Sequence, residues 1–309
     1  KGYSLNSLES DSNLCVSLRC AMRGLGRLRP GLLVLGAAPF AVPKRTFTIH
    51  CEGASKEQSL DQFLKSNKAQ KWIELNSDKS KSCLVNTDSI EWVETAAGGV
   101  RRKMIERIGG EVARATTVVN FTPNASFPMH QHVGGEEFIV LEGAWFDDWD
   151  TQPGLTYVRN YIGSKHTPRI GPNGCTILVK LCQMSHEHQE PDHTQWDISS
   201  SNPKWRSVST GRQQLEVFKS PLEEVHFERW VPGQTGTVEI HENGEEVFVI
   251  EGSFCDEIGE HRRWSWCRNA GDRRRLTRKA GPKGCLLYVK SKHLRSPEVD
   301  ICTLQKPSS

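Results

Sequence analysis

The chain repeats itself. Glu136-Glu-Phe-Ile-Val-Leu-Glu-Gly143 returns as Glu245-Glu-Val-Phe-Val-Ile-Glu-Gly252, 109 residues later. Arg159-Asn160 returns as Arg268-Asn269 at the same spacing of 109, and Gly171-Pro-Asn-Gly-Cys175 as Gly281-Pro-Lys-Gly-Cys285 at 110. An offset this steady across most of a domain marks a duplicated structural unit, and it restricts the fold to architectures that can be built twice in tandem.

The repeated unit reads as short strands. Ala115-Thr-Thr-Val-Val119, Glu137-Phe-Ile-Val-Leu141, Thr156-Tyr-Val158 and Cys175-Thr-Ile-Leu-Val-Lys-Leu181 are apolar or β-branched runs separated by Gly, Pro and Asn. Many short strands with turn residues between them form sandwiches or barrels. The expected fold is all-β: two tandem jelly-roll barrels behind an N-terminal leader and a short helix. Residues 1–55 read as a leader without fixed structure, and 56–82 as a helical lead-in with Leu60, Phe63, Leu64 and Trp72 at helical spacing up to Leu75. Residues 83–200 then form the first barrel and 201–309 the second, with the polar stretch from His186 to Pro203 as the linker.

The leader has a character of its own. From Ser12 to Cys51 it carries no Asp or Glu, but holds Arg19, Arg23, Arg27, Arg29, Lys44 and Arg45. Acid-poor, arginine-bearing N-termini read as targeting segments, so a mitochondrial or plastid address is expected, with the cytoplasm as the alternative. The first methionine is Met22, and residues before it read as an upstream piece. The apolar run Gly31 to Val42 is too short to span a bilayer. A net charge of +3 gives no footprint for a polyanion, so nucleic acid is not an expected partner, even with the basic run Arg273-Arg-Arg-Leu-Thr-Arg-Lys279. The 10 cysteines are scattered without a Cys-x-x-Cys pair, which fits neither a zinc knuckle nor a disulfide framework. Cys175 and Cys285 open apolar strands and read as buried thiols.

The chemistry is concentrated in the first repeat. In an extended strand His130 and His132 share a face, and Glu136 keeps that parity beyond the Gly134-Gly135 turn. His166 follows a second glycine turn, Gly163-Ser-Lys-His166. Three imidazoles and one carboxylate inside a β-structure suit one divalent first-row metal: zinc, iron, manganese or nickel. Tyr157 and Arg159 share parity on the strand before His166 and are expected to face the cavity as acid/base and anion-holding groups. His186, His188 and His193 lie in a polar loop and read as solvated.

The second repeat loses this set. At 109 residues on, His132 and Glu136 become His241 and Glu245, but His130 becomes Glu239 and His166 becomes Arg275. A guanidinium stays protonated and has no lone pair for a metal. The second site is therefore expected to be degenerate, an ion-paired core.

The pattern His-x-His, three residues, Glu, six residues, Gly resembles the cupins. With its flanks, the first repeat resembles the ChrR-like cupins in particular. Those flanks are Gly110-Glu-Val-Ala-Arg114, Phe127-Pro-Met-His130 through Gly143, Thr156 to Asn160, Gly163 to Pro168 and Gly174 to Lys180. The resemblance implies metal binding at His130, His132, Glu136 and His166, with zinc in the family and iron, manganese, nickel or copper in related cupins. The helical zinc-binding domain of anti-sigma factors has no counterpart, so sigma-factor inhibition is not implied. Two functions follow as expectations: a metal-dependent dioxygenase acting on a small oxygenated substrate, or a zinc-binding regulatory or stress-sensing module. A bicupin binding protein without activity is a third. A small-molecule ligand is the expected partner, and self-association as a homodimer is open.

Overall fold

The duplication is visible strand by strand. Glu136–Phe146 and Glu245–Cys255 are both 11 residues long, and each begins with six consecutive buried residues. Thr156–Asn160 and Ser265–Asn269 are buried throughout. The computed structural model describes residues 72–95, 98–110, 113–187, 193–271 and 274–295. The leader, its targeting character and most of the expected helical lead-in, residues 56–71, lie outside these.

Two nine-stranded antiparallel sheets are built from the repeats. In the first, Ile73–Leu75, Val100–Gly109, Ala113–Phe121, Arg169–Leu181, Glu136–Phe146, Thr156–Asn160 and His193–Asp197 lie in that spatial order. The second runs Arg206–Ser209, Arg212–Lys219, Glu224–Trp230, Arg275–Ser291, Glu245–Cys255, Ser265–Asn269 and Cys83–Asn86. A separate ribbon pairs His130–Gln131 with Lys165–His166. The order of strands, with long-range neighbours at the centre of each sheet, is that of two jelly rolls.

Three segments depart from the sequence reading. Ile73–Leu75, expected at the end of a helix, is a strand on Arg107–Gly109, where sheet pairing overrides a local helical spacing. His193–Asp197, expected within a linker, hydrogen bonds along Thr156–Asn160 as the last strand of the first sheet. Cys83–Asn86 opens the segment read as the first barrel, yet pairs with Ser265–Arg268 of the second sheet. Among the described residues no helix is long and apolar enough to cross a membrane.

The apolar run Phe138-Ile-Val-Leu141 shows why both repeats are continuously hydrophobic. Alternate side chains of a strand leave by opposite faces. Phe138 and Val140 fill the first barrel with Phe121, Trp145, Ile177 and Val179. Ile139 and Leu141 face the other way, into a core shared with Phe227, Phe248, Ile250, Trp266 and Tyr288 of the second sheet. The second repeat does the same: Val247 and Val249 pack inside its barrel, Phe248 and Ile250 between barrels. Each fully buried side chain of this size contributes about 1.5–3 kcal/mol, so the shared core joins the two barrels into one folding unit.

Polar groups inside that interface are exchanged reciprocally. Lys290 of the second repeat donates to Glu137 of the first, and Lys180 of the first donates to Glu246 of the second. Lys290 also reaches Glu223 at 2.8 Å, while Lys180 reaches the Thr116 hydroxyl at 2.9 Å. Arg159 pairs with Glu223, and Arg268 with Glu106 at 3.0 Å. All of these side chains are buried. Each charge therefore depends on its partner for the solvation it has lost.

One glycine in each barrel is required by geometry. Gly143 and Gly252 adopt φ of 79° and 71°, and a Cβ at either would overlap the carbonyl oxygen of Gly174 or Gly284. Cys175 and Cys285 follow as buried thiols, as expected, and burial pushes both up to about 12.

Candidate metal centre

The His130–Gln131/Lys165–His166 ribbon sets His166 directly across from His130. The backbone of His132 is fixed to the same turn: its N–H donates to Ser164 O at 3.0 Å, and its carbonyl accepts from Gly163 at 2.8 Å. Gly135, at φ 74°, then swings the chain into the strand that begins with Glu136, in a position where a Cβ would strike Met184.

These constraints bring three imidazole nitrogens together. His132 Nε2 lies 3.0 Å from His166 Nε2, which lies 3.2 Å from His130 Nε2. Glu136 Oε2 stands 3.4 Å from His132 Nε2 and 3.8 Å from His166 Nε2. Donors about 2.1 Å from one ion and at right angles to each other would be separated by about 3 Å. The cluster fits such an ion.

The outward nitrogens are occupied in a way that supports this. His130 Nδ1 lies 3.1 Å from the Pro128 carbonyl, which accepts only if Nδ1 carries the proton. His166 Nδ1 lies 3.3 Å from Asp147 Oδ2. In both rings the Nε2 lone pair is thereby left for the centre. Burial pushes the His132 imidazole down and the neighbouring rings add to it, with Glu136 opposing, so it stays neutral and able to donate electrons. His132, Glu136 and His166 are buried, and His130 is exposed, so the cluster opens to solvent on the His130 side.

Three supporting residues were not legible from the motif. Asp147 accepts from the backbone of Trp149 and Asp150 and from Gln152 Nε2 at 3.0, 3.2 and 3.2 Å. Burial raises its pKa, but the bonds from His166 and these donors outweigh it, holding the carboxyl below the usual range. Asn160, opposite Glu136 across the sheet, donates to Glu136 Oε2 at 3.0 Å. Its Oδ1 meets His193 Nδ1 at 2.8 Å, and the His193 ring stacks on Trp149 with centroids 5.0 Å apart. His193, expected to be a solvated loop residue, thus reaches the edge of the centre. For Asn160, an amide on the strand directly opposite Glu136 was the available signal.

Tyr157 and Arg159 are not in the cavity. They share a face as expected, but it is the opposite one. Tyr157 OH donates to Glu137 Oε2 at 2.8 Å, and its ring packs on Phe227 and Tyr288. Arg159 is held by Glu137 and Glu223. Glu137 alternates with Glu136, so groups bonded to it lie between the barrels.

In the second barrel Glu239 pairs with Arg275 in the register that His130 and His166 occupy in the first. The ion pair expected there in the core lies at the surface instead: Arg275 Nε is 3.0 Å from Glu239 Oε1, with both side chains at least 70% exposed. The buried pair is Arg278 with Glu245. Asp256, the counterpart of Asp147, holds His261 at 2.9 Å. Among the described residues, the three histidines of the first barrel are the group of imidazole, thiol or carboxylate side chains close enough to share an ion.

The fold and this centre define a tandem cupin. The chain belongs to the ChrR Cupin-like domain family, which it matches twice, over residues 80–185 and 198–295. No curated protein matches the sequence closely enough to be named as a relative. Similar solved structures share the architecture. One is a protein from Pseudomonas aeruginosa provisionally described as glyoxylate-induced (13% identity, 73% of this chain and 92% of that chain, TM-score 0.57). Another, from Nostoc punctiforme, is provisionally described as a dioxygenase (14%, 71% and 86%, TM-score 0.53). A third is the bacterial pirin YhhW from Escherichia coli in complex with nickel(II) (12%, 68% and 99%, TM-score 0.52). At these identities the likeness is one of fold. The chain is a cupin with a cluster suited to a divalent metal in its first barrel.

Proposed function

We propose that His130, His132, His166 and Glu136 hold one divalent first-row metal, and that the first barrel is a dioxygenase site for a small oxygenated substrate. The observation that carries the reading is the convergence of three Nε2 atoms at 3.0 and 3.2 Å beside a carboxylate oxygen, on the solvent-open side of a barrel. When bound, such an ion would supply Lewis acidity and one-electron chemistry toward dioxygen. The protein's own groups do the rest. Asp147 fixes the His166 tautomer, Asn160 orients Glu136, and Trp145, with its ring 6.0 Å from that of His166, walls off water.

Tyr157 and Arg159 have no part in this chemistry; they hold the barrels together. A zinc-binding sensing module is the second reading, favoured by Met129, 47% exposed and adjacent to His130, where oxidation would alter the rim of the centre. One experiment separates the two. Protein purified without added metal is analysed for its element and for dioxygen uptake with small enols, diketones and thiols. Stoichiometric iron, manganese or nickel with uptake supports the enzyme. Stoichiometric zinc without uptake supports the sensor.

A further inference from the structure

Each barrel has a cleft beside its kinked glycine, and the two clefts are repeats of one another. The first, of about 440 Å³, is lined by Asn120, Phe121, Glu142, Gly143, Asn173 and Cys175 among others. The second, of about 570 Å³, is lined at the same places by Arg229, Trp230, Glu251, Gly252, Lys283 and Cys285. Strand register fixes the correspondence, since Phe121 pairs with Cys175 and Trp230 with Cys285.

Two positions change from amide to cation, Asn120 to Arg229 and Asn173 to Lys283. In the first cleft Asn120 and Glu142 both have partners. Arg101 Nε donates to Asn120 at 3.0 Å, Asn120 Nδ2 donates to Thr176 at 2.9 Å, and Glu142 takes Arg263 at 2.7 Å. In the second cleft, among the described residues, neither Arg229 nor Lys283 has an ion-pair or side-chain hydrogen-bond partner. Arg229 is half-buried, with its guanidinium 4.1 Å over the ring of Trp205. Burial pushes its pKa down, and Glu251 and Asp197 restore it only in part. Arg212, also on the cleft wall, is already bonded to Glu228.

A half-buried cation whose N–H groups have no acceptor is costly, and a ligand oxyanion would relieve that cost with charge-assisted hydrogen bonds. We infer that the second cleft binds a small oxyanion, a carboxylate or phosphate, between Arg229 and Lys283, with Glu251 accepting from a hydroxyl of the same ligand. The site is independent of the metal centre.

Inorganic phosphate and glycerol 3-phosphate, titrated calorimetrically into the full chain at low ionic strength, test it. Saturable one-to-one binding is expected, tighter for glycerol 3-phosphate and weakening with added salt. Arg229→Gln and Lys283→Gln should each reduce affinity about tenfold, the scale of one charge-assisted bond. His132→Ala, which disables the metal centre, and Arg101→Gln, in the first cleft, should leave it unchanged. Lys283 is exposed, and Arg229→Lys retains the charge, so these variants carry the test if Arg229→Gln does not fold. Absence of saturable binding, equal binding by Lys283→Gln, or binding lost only in His132→Ala would overturn the assignment.

Discussion

At the heart of the first barrel three imidazoles face one another beside Glu136; at the equivalent depth of the second, Glu245 grips the guanidinium of Arg278. The surrounding frame is nearly unchanged. The kinked glycines Gly143 and Gly252, the aspartates Asp147 and Asp256, and the asparagines Asn160 and Asn269 all persist. Even the buried acid remains, at Glu136 and Glu245. What separates a metal-competent barrel from an ion-paired one is thus a small number of donors. His130 and His166 have become Glu239 and Arg275 at the surface, and Arg278 has filled the interior with positive charge. A fixed cation there repels a metal and satisfies the acid at once.

That contrast can be broken most directly at the acids. His132→Ala or Glu136→Gln should abolish metal content, read by elemental analysis after dialysis, whereas Glu245→Gln should leave it unchanged. Equal losses from both barrels would end the one-site assignment. The interface should respond from both sides, but unequally. Glu246→Gln leaves buried Lys180 with only the Thr116 hydroxyl and should cost about 3–5 kcal/mol in urea unfolding, whereas Glu137→Gln leaves Lys290 paired with Glu223 and should cost less. Equal costs would show that Glu223 does not compensate for the loss of Glu137.

The supporting aspartates sharpen the comparison further. Asp147→Asn should weaken metal binding about 10–100-fold, measured by competition with a chelating dye, because His166 loses the carboxylate that sets its tautomer. Asp256→Asn should not affect metal binding at all.

The acid limb of stability carries a further asymmetry. His293 is buried in the second repeat where the first has Gln183, and burial pushes its imidazole down to about 4, Glu246 opposing. An unfolded histidine takes its proton near 6.5, so between pH 6.5 and 4 the unfolded chain holds more protons and stability falls as pH falls. Glu223 extends the loss. Burial raises its carboxyl, but Arg159 and Lys290 outweigh that and hold it at about 2, so its contribution disappears between about 4.5 and 2. His293→Leu should remove the upper slope and leave the lower one, as read from urea midpoints against pH. The smallest effect belongs to Arg275→Ala, which should change stability by less than about 0.5 kcal/mol because its pair with Glu239 is exposed.

Much of this was readable in advance. The convergence of His130, His132 and His166 follows from the period of two and two glycine turns, both local properties of the chain. The duplication was readable because barrel strands recur at a fixed distance. The errors at Tyr157 and Arg159 have a physical cause. Parity reveals which side chains share a face, but not which face that is when both are covered. Only the cross-strand register, with Glu136 opposite Asn160 and Glu137 opposite Arg159, decides it. Asn160 and His193 were missed because they approach the centre from neighbouring strands, and Asp147 because it does so from the turn after Glu136–Phe146, where no sequence spacing connects them to the ligands. His193–Asp197 and Cys83–Asn86 are short polar or mixed segments whose strand character comes from the sheet edge they cover.

Cys83–Asn86 has a consequence for how the halves can be parted. By lending this strand to the far sheet, the chain ties its beginning to its end, so cleavage near residue 200 leaves neither product whole. The downstream fragment would lack an edge and bare Phe227, Phe248 and Tyr288, while the upstream one would keep an orphan strand with nothing to lie on. Excision of either lobe should therefore yield insoluble material, while a nick in the same connection should leave both pieces clasped.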